Sequence, residues 1–89
     1  MRAVMTVIGP DRVGIIAGVS ALLAEKNVNI LDLSQTIMGG IFTMIVLVDT
    51  AGATGPFEDL RGALADWGEA NGLSVRIQRE DTFAAMHRI

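Results

Sequence analysis

Apolar and polar positions along the chain predict four β-strands and two α-helices. The first and third strands are apolar at almost every position, whereas the second and fourth alternate apolar with polar residues. A strand that is apolar on both faces belongs in the middle of a sheet, and an alternating strand is half-buried. The predicted strands are Arg2–Ile8, Ile30–Met38, Ile41–Asp49 and Leu73–Glu80.

Each predicted helix carries one apolar stripe at helical spacing. The first runs from about Val13 to Lys26, with Gly18 beside its stripe, where it allows close approach to a sheet. The second begins near Pro56 and stops at Gly72. The stripes consist of Ile15, Ile16, Val19, Leu22 and Leu23 in the first helix and of Phe57, Leu60, Leu64 and Trp67 in the second.

Short polar and glycine segments mark the ends of these elements. Asp11 is expected to cap the first helix or to supply an acid to its first turn. Asn27 to Asn29 are expected to close that helix, and Gly39-Gly40 predicts a tight hairpin. Asp81–Ile89 forms a short C-terminal tail.

The resulting order, βαββαβ, predicts an α+β fold, the ferredoxin-like sandwich. Its antiparallel sheet has the strand order 4-1-3-2, with both helices on one face, in a single domain over residues 1–89. The other face of the first and third strands must then be covered by the tail, a second subunit, or both. Met5, Met38 and Met44 are expected to fill the core.

Composition narrows the classes of function. Hydrophobic residues make up 51% of the chain and charged residues 19%. This excess of hydrophobic residues predicts a homodimer or higher homo-oligomer, because a second subunit would cover the apolar surface. A net charge of −3 argues against a nucleic-acid partner. The longest apolar run, Met44 to Val48, is too short to span a membrane, and the first residues are too short a run for a signal peptide. A soluble cytoplasmic protein is expected.

The residues of the chain do not indicate a catalytic site or a metal site. The chain has no cysteine and one histidine, His87, which is expected on the surface of the tail. No Ser–His–Asp arrangement or phosphate-binding fingerprint is present, so we expect no catalytic activity, metal or cofactor. Among ferredoxin-like folds, metal chaperones need a Cys-x-x-Cys, acylphosphatases need an arginine-bearing phosphate loop, and RNA-binding domains need more exposed aromatics than Phe42.

Two segments resemble the ACT domain, a small regulatory module that binds amino acids. Asp11-Arg12-Val13-Gly14 resembles its Asp-Arg/Lys-x-Gly element, and Asn29-Ile30 resembles its Asn-Ile element. Val13 stands where many ACT domains have proline. The match is most similar to small free-standing ACT proteins and to the ACT domains of the glycine-cleavage repressor and formyltetrahydrofolate deformylase.

The resemblance implies a regulatory protein that senses an amino acid at a homo-oligomer interface and acts on a regulated protein partner. The ligand carboxylate would meet backbone N–H groups of residues 13–15, with Asn29 opposite. Ligand-binding residues are expected to be Asp11, Arg12, Val13, Gly14, Ile15, Asn29 and Ile30. The alternatives are a ligand-free interaction or dimerisation module and, third, an enzyme accessory without an active site.

Each of these residues also has a purely structural interpretation. Gly14 is either a packing glycine beside a neighbouring strand or a gap that lets a ligand approach the backbone. Asn29 is either a turn residue in the left-handed region or a ligand contact. Asp11 is a helix cap or a partner for a ligand ammonium group, and Arg12 is solvated or binds a carboxylate.

Overall fold

The computed structural model describes residues 1–81, and the rest of the predicted tail, including Phe83, Met86 and His87, lies outside the described residues. Four antiparallel strands form one sheet in the order β2-β3-β1-β4, which confirms the predicted ferredoxin-like topology. In chain order the elements are β1 Arg2–Pro10, α1 Ile15–Glu25, β2 Asn29–Met38, β3 Ile41–Asp49, α2 Phe57–Ala70 and β4 Ser74–Arg79.

The hydrophobic core lies between the sheet and the two helices. Alternate residues of the central strands β1 and β3 point into it, because side chains along a strand alternate between the two faces. Each helix contributes its apolar stripe. The buried residues include Ala3, Met5 and Val7 of β1, Phe42, Met44, Val46 and Val48 of β3, Ile15, Val19 and Leu23 of α1, and Leu60 and Leu64 of α2.

The face of the sheet away from the helices is also apolar. Ile8 is 43% exposed and Ile45 is 44% exposed, and both belong to the central strands. Because strands β1 and β3 are apolar on both sides, packing the helices on one side leaves these side chains in contact with solvent in the single chain. The predicted need for a cover on this face therefore remains.

Strand β1 is two residues longer than predicted and α1 starts two residues later. Pro10 pairs with Ile41 of β3, whereas the ladder with β4 ends at the Ile8–Ser74 pair. Pro10 therefore has a neighbouring strand on one side only, where its missing N–H group is tolerated. At the other end, α1 stops at Glu25, and Asn27 adopts the left-handed conformation with φ 57°.

Gly18 gives α1 a close approach to α2 instead of to the sheet. A Cβ atom at this position would lie 2.7 Å from Cζ2 of Trp67. Trp67 itself is partly buried against the core. The prediction that Gly18 allows a close approach to the sheet is therefore wrong, because the nearest atoms to this Cβ position belong to Trp67 of α2.

Strand β2 departs from simple alternation. The register with β3 shifts between Ile30 and Asp32, so that Leu31 is an unpaired bulge residue and is 46% exposed. Met38, at the end of the same strand, is exposed as well, so its predicted place in the core is wrong. The alternation of apolar and polar residues in a sequence does not show where a strand contains an inserted residue. The bulge takes Leu31 out of the alternating residues that face the core.

Candidate functional site

The segment between β1 and α1 is held against the β2–β3 hairpin. The backbone N–H of Asp11 donates a hydrogen bond to the carbonyl of Gly40 at 2.8 Å. Helix α1 begins only at Ile15, with Gly14 as its N-cap, and no side chain in the described part of the chain caps it. The prediction of Asp11 as a cap or first-turn acid is therefore wrong, because the extension of β1 to Pro10 leaves Asp11 too far before the helix.

Gly14 has the backbone conformation φ 95°, ψ 0°, in the left-handed region that L side chains rarely adopt. A Cβ atom built on Gly14 would meet no atom within 4 Å. The interpretation of Gly14 as a packing glycine beside a strand is therefore wrong. Its backbone conformation explains the glycine, and open space lies next to it.

The first turn of α1 leaves backbone N–H groups for an external acceptor. The first four N–H groups of an α-helix have no partner within the helix. No side chain of residues 1–81 caps them, and the first turn contains no acidic residue. The positive end of the helix dipole adds to the attraction for an anion.

This helix end opens into a groove of about 400 Å³ between α1 and the end of strand β2. Its volume lies within the range of small-molecule sites. Its charged lining residues are Asp11 and Arg12, and the first turn of α1 borders it. The groove is lined by Asp11, Arg12, Val13, Gly14, Ile15, Ile16, Ala17, Gln35, Ile37 and Phe42.

Arg12 connects the β1–α1 loop to a distant turn. Its Nη2 donates a hydrogen bond to Oδ1 of Asn71, at the C-cap of α2. Asn71 in turn donates from Nδ2 to the carbonyl of Trp67 at 2.7 Å. Arg12 is therefore more than a solvated side chain, and its contact stabilises the position of the loop.

Asn29 and Ile30 lie at the opposite end of α1 from the groove. Eleven helical residues separate the two ends, which corresponds to about 16 Å at 1.5 Å per residue. Asn29 is an exposed residue of β2 and pairs with Asp49, so its interpretation as a left-handed turn residue is wrong, and Asn27 has that conformation. Ile30 packs partly against the core. Within one chain, the structure does not bring Asn29 to the loop.

Five groove residues were not predicted as site residues: Ile16, Ala17, Gln35, Ile37 and Phe42. Ile16 was assigned to the buried stripe of α1, although it is 38% exposed. Ile15 and Ile16 are adjacent on a helix and cannot both point at the core. Their adjacency is the signal in the sequence that one of them is exposed. Gln35 and Ile37 reach the groove through sheet pairing, for which the sequence has no local signal.

Next to Asn29, the carboxyl group of Asp49 is stabilised in its charged form. The backbone N–H of Ala51 donates to Oδ1 of Asp49 at 2.9 Å, and the N-terminal ammonium lies 3.6 Å from the same oxygen. The hydrogen bond from Ala51 is the main cause that holds the pKa of Asp49 below its usual value, and the N-terminal charge adds to it.

We expect Asp49→Asn to make the folded state less sensitive to acid. A carboxyl group with a lowered pKa in the folded state stabilises the fold above its unfolded pKa of about 3.9 and loses that contribution as the pH falls further. Thermal melts from pH 7 into this acid range should show a shallower decline for the variant. Asp66→Asn, an exposed change on α2, controls for the loss of one charge. Equal profiles for wild type and Asp49→Asn would contradict the role of this carboxyl group.

A second groove, also about 400 Å³, runs along β4, the edge strand of the sheet within residues 1–81, and against α2. Three arginines line it, Arg61, Arg76 and Arg79, over an apolar floor that includes Val75 and Ile77. None of the predicted site residues lies there. The two grooves are similar in volume, but only the groove at α1 contains the sequence elements that suggested a ligand.

Two further observations concern residues 1–81. In this part of the chain no cluster of three or more histidine, aspartate or glutamate side chains is arranged to hold a metal ion. Among the described helices, neither is long and apolar enough to cross a membrane.

Comparison with known proteins relates these features to a family. A family model of the ACT domain matches residues 2–78. A UPF0237 protein of Listeria monocytogenes is 53% identical over 89 residues, covering 100% of both chains. The structure of an ACT domain protein from Streptococcus pneumoniae has a TM-score of 0.80 at 36% identity, covering 100% of this chain and 96% of that one.

Larger proteins contain similar domains. A formyltetrahydrofolate deformylase from Pseudomonas syringae has a TM-score of 0.80 at 30% identity, covering 88% of this chain and 27% of that one. A structure named for the glycine cleavage system transcriptional repressor has a TM-score of 0.74 at 25% identity, covering 86% of this chain and 44% of that one. These matches confirm the resemblance seen in the sequence.

Proposed function

Because this chain belongs to the ACT domain family, whose members are regulatory ligand-binding domains, we propose that it is a single ACT domain that senses an amino acid. The site is the groove at the start of α1, shared between two copies of the chain in a cytoplasmic homo-oligomer. The observation that carries this proposal is the uncapped first turn of α1, which opens into the groove beside Gly14.

The polar side of the groove matches the two charged ends of an amino acid. The backbone N–H groups around Val13 to Ile15 receive the ligand carboxylate, since a helix N-terminus attracts anions. The carboxylate of Asp11 pairs with the ligand ammonium group. Arg12 holds the loop in place through its hydrogen bond to Asn71.

Strand pairing between subunits explains how Asn29 joins this site. β2 is an edge strand, and eight of its ten residues are exposed, including Leu31 and Met38. An exposed apolar edge strand tends to pair with another strand. Antiparallel pairing of two β2 strands about a two-fold axis reverses one of them. Asn29 of the partner subunit then lies beside the end of β2 that borders the groove. Ile30 of the partner subunit packs on its own core and so holds the neighbouring Asn29 in position.

A complementation experiment tests the shared site. Asn29→Ala should weaken amino-acid binding by about 0.5–3 kcal/mol, and Gly14→Asn should place a side chain in the groove. In a homodimer of either variant, both sites carry the change of that variant. A heterodimer of the two has one site with both changes and one with neither, so in a 1:1 mixture about a quarter of the sites should bind with wild-type affinity.

One control accompanies this experiment, and three outcomes would contradict the shared site. Sedimentation should show at least twice the 9.4 kDa chain mass for wild type and for both variants. A stable monomer would rule out a site shared between subunits. If the mixture regains nothing although heterodimers form, Asn29 and Gly14 do not act in one site. Full binding by Asn29→Ala alone would remove Asn29 from the site.

The second candidate function, an interaction module without a ligand, draws support from the groove along β4. Its three arginines stand out in a chain of net charge −3, and a sheet edge is a common docking place for an extended segment of a partner protein. If no amino acid raises the melting temperature and Asn29→Ala lowers it without ligand, this second function is favoured. Thermal shift distinguishes the two functions, because a ligand that binds the folded protein raises its melting temperature by mass action.

A further inference from the structure

One wall of the groove at α1 is apolar. Ile16 of α1 and Ile37 of β2 line this wall, and Phe42 of β3 lies between the two elements at its floor. Ile37 is 56% exposed, whereas Phe42 is 3% exposed and belongs to the core. The wall therefore continues the hydrophobic core outward to the surface of the groove.

The exposed isoleucines of this wall are not needed to complete the core. The core side of α1 is already formed by Ile15, Val19 and Leu23, which are all buried. Large aliphatic residues are among those most often buried in folded proteins. Ile16 and Ile37 thus offer apolar surface to any molecule that enters the groove.

The charged side chains of the groove are already assigned by the proposed function. Asp11 and Arg12 are the charged side chains in its lining. Asp11 faces the ligand ammonium group in that proposal, and Arg12 is bonded to Asn71. Gln35 is the remaining polar side chain of the lining and lies on β2, two residues before Ile37.

A polar ligand side chain would meet the wrong surface here. A hydroxyl, carboxylate or ammonium group placed against Ile16, Ile37 and Phe42 would lose water without gaining a hydrogen bond. An apolar side chain on the same wall would instead be removed from water together with the two isoleucines. The wall therefore discriminates by polarity.

We propose that the amino acid sensed by this protein has an apolar side chain, of the kind carried by leucine, isoleucine, methionine or phenylalanine. The proposal rests on the proposed function, because it takes the α-amino and α-carboxylate groups to lie at Asp11 and the start of α1. It adds that the side chain of the ligand packs on Ile16 and Ile37.

Calorimetry and thermal shift with a panel of amino acids test this proposal on the full chain. Leucine, isoleucine, methionine and phenylalanine are compared with glycine, serine, aspartate and lysine. We expect at least one apolar amino acid to bind ~10-fold or more tightly than glycine and serine, since a few buried methylene groups give discrimination of this size. None of the polar amino acids should match it.

Ile37→Asn tests the wall directly. We expect it to weaken binding of the preferred apolar amino acid about 10-fold and to leave the affinity for glycine or serine nearly unchanged. The matched control is Ile45→Asn, the same change at an isoleucine of β3 that is 44% exposed on the opposite face of the sheet, outside this groove. It should keep the wild-type preference.

The outcomes separate this inference from the function on which it rests. Tighter binding of serine, aspartate or lysine would overturn the apolar preference while leaving amino-acid sensing intact. An unchanged preference in Ile37→Asn would likewise overturn the role of the wall. If no amino acid binds, both proposals fail. If Ile37→Asn is then also a monomer, the apolar wall serves subunit association instead of ligand binding.

Discussion

Leu64→Ala is expected to lower the free energy of unfolding by about 2–5 kcal/mol, the range for a leucine removed from a packed core. Leu64 is completely buried, at 0% exposure, in the middle of α2. The loss combines the transfer of the removed atoms with the cavity that remains. Urea denaturation at a fixed protein concentration measures it, and the slope with denaturant should stay unchanged.

Leu31→Ala is the matched control for this experiment. It removes the same atoms from the bulge of β2, where the side chain is 46% exposed. Its cost should be below about 1 kcal/mol, as for most surface changes. If the two variants unfold at the same urea concentration, α2 does not pack on the sheet through Leu64. That result would also remove the support that α2 gives to Arg12 through Asn71.

Gly14→Val is expected to lower the melting temperature and to abolish amino-acid binding. A β-branched residue at φ 95° is strained, at a cost of about 1–3 kcal/mol. The strain arises from the backbone, because no atom lies within 4 Å of the new Cβ position. Thermal melts with and without amino acid measure the two effects on the same samples.

Gly14→Asn separates strain from blocking. Asparagine enters the left-handed region more easily than valine does, so its ligand-free melting temperature should lie closer to wild type. Its side chain still occupies the entrance to the groove, so binding should remain weak. A Gly14→Val protein with the wild-type melting temperature and the wild-type response to amino acids would remove both roles from this glycine.

The groove at α1 connects these predictions to function. Its polar side is formed by a backbone that only a glycine at position 14 allows without strain, and its apolar side by Ile16 and Ile37. Neither side requires a catalytic group, and ACT domains act as regulatory domains. Ligand binding at such a site stabilises the folded protein by mass action, which makes thermal shift the first experiment to perform.

Much of the fold was predictable from the sequence because its signals are local. The apolar pattern of strands one and three predicted the centre of the sheet, and Leu60 and Leu64 predicted the buried side of α2. The pair Gly39-Gly40 predicted the hairpin, where both residues have positive φ. Periodicity and turn chemistry depend on residues only a few positions apart, so they can be interpreted without knowledge of the tertiary structure.

The candidate site was predictable only in part. The loop from Asp11 to Gly14 was identified by its residues, and the structure places it beside a groove. The resemblance to the ACT domain also implied that Asn29 lies opposite this loop. A helix separates its two ends by its whole length, however, so residues that flank it in sequence lie far apart in one chain.

The sequence by itself therefore determined the order of the elements, the strands at the centre and edge, and the loop that needs a glycine. The tertiary structure alone decided that Arg12 bonds to Asn71, 59 residues away, and that Ile16 faces a groove with Ile37. It also decided that the bulge removes Leu31 from the core series. The reason is physical: periodicity and turn conformation are set by neighbours along the chain, whereas burial and side-chain partners are set by segments that meet only after folding.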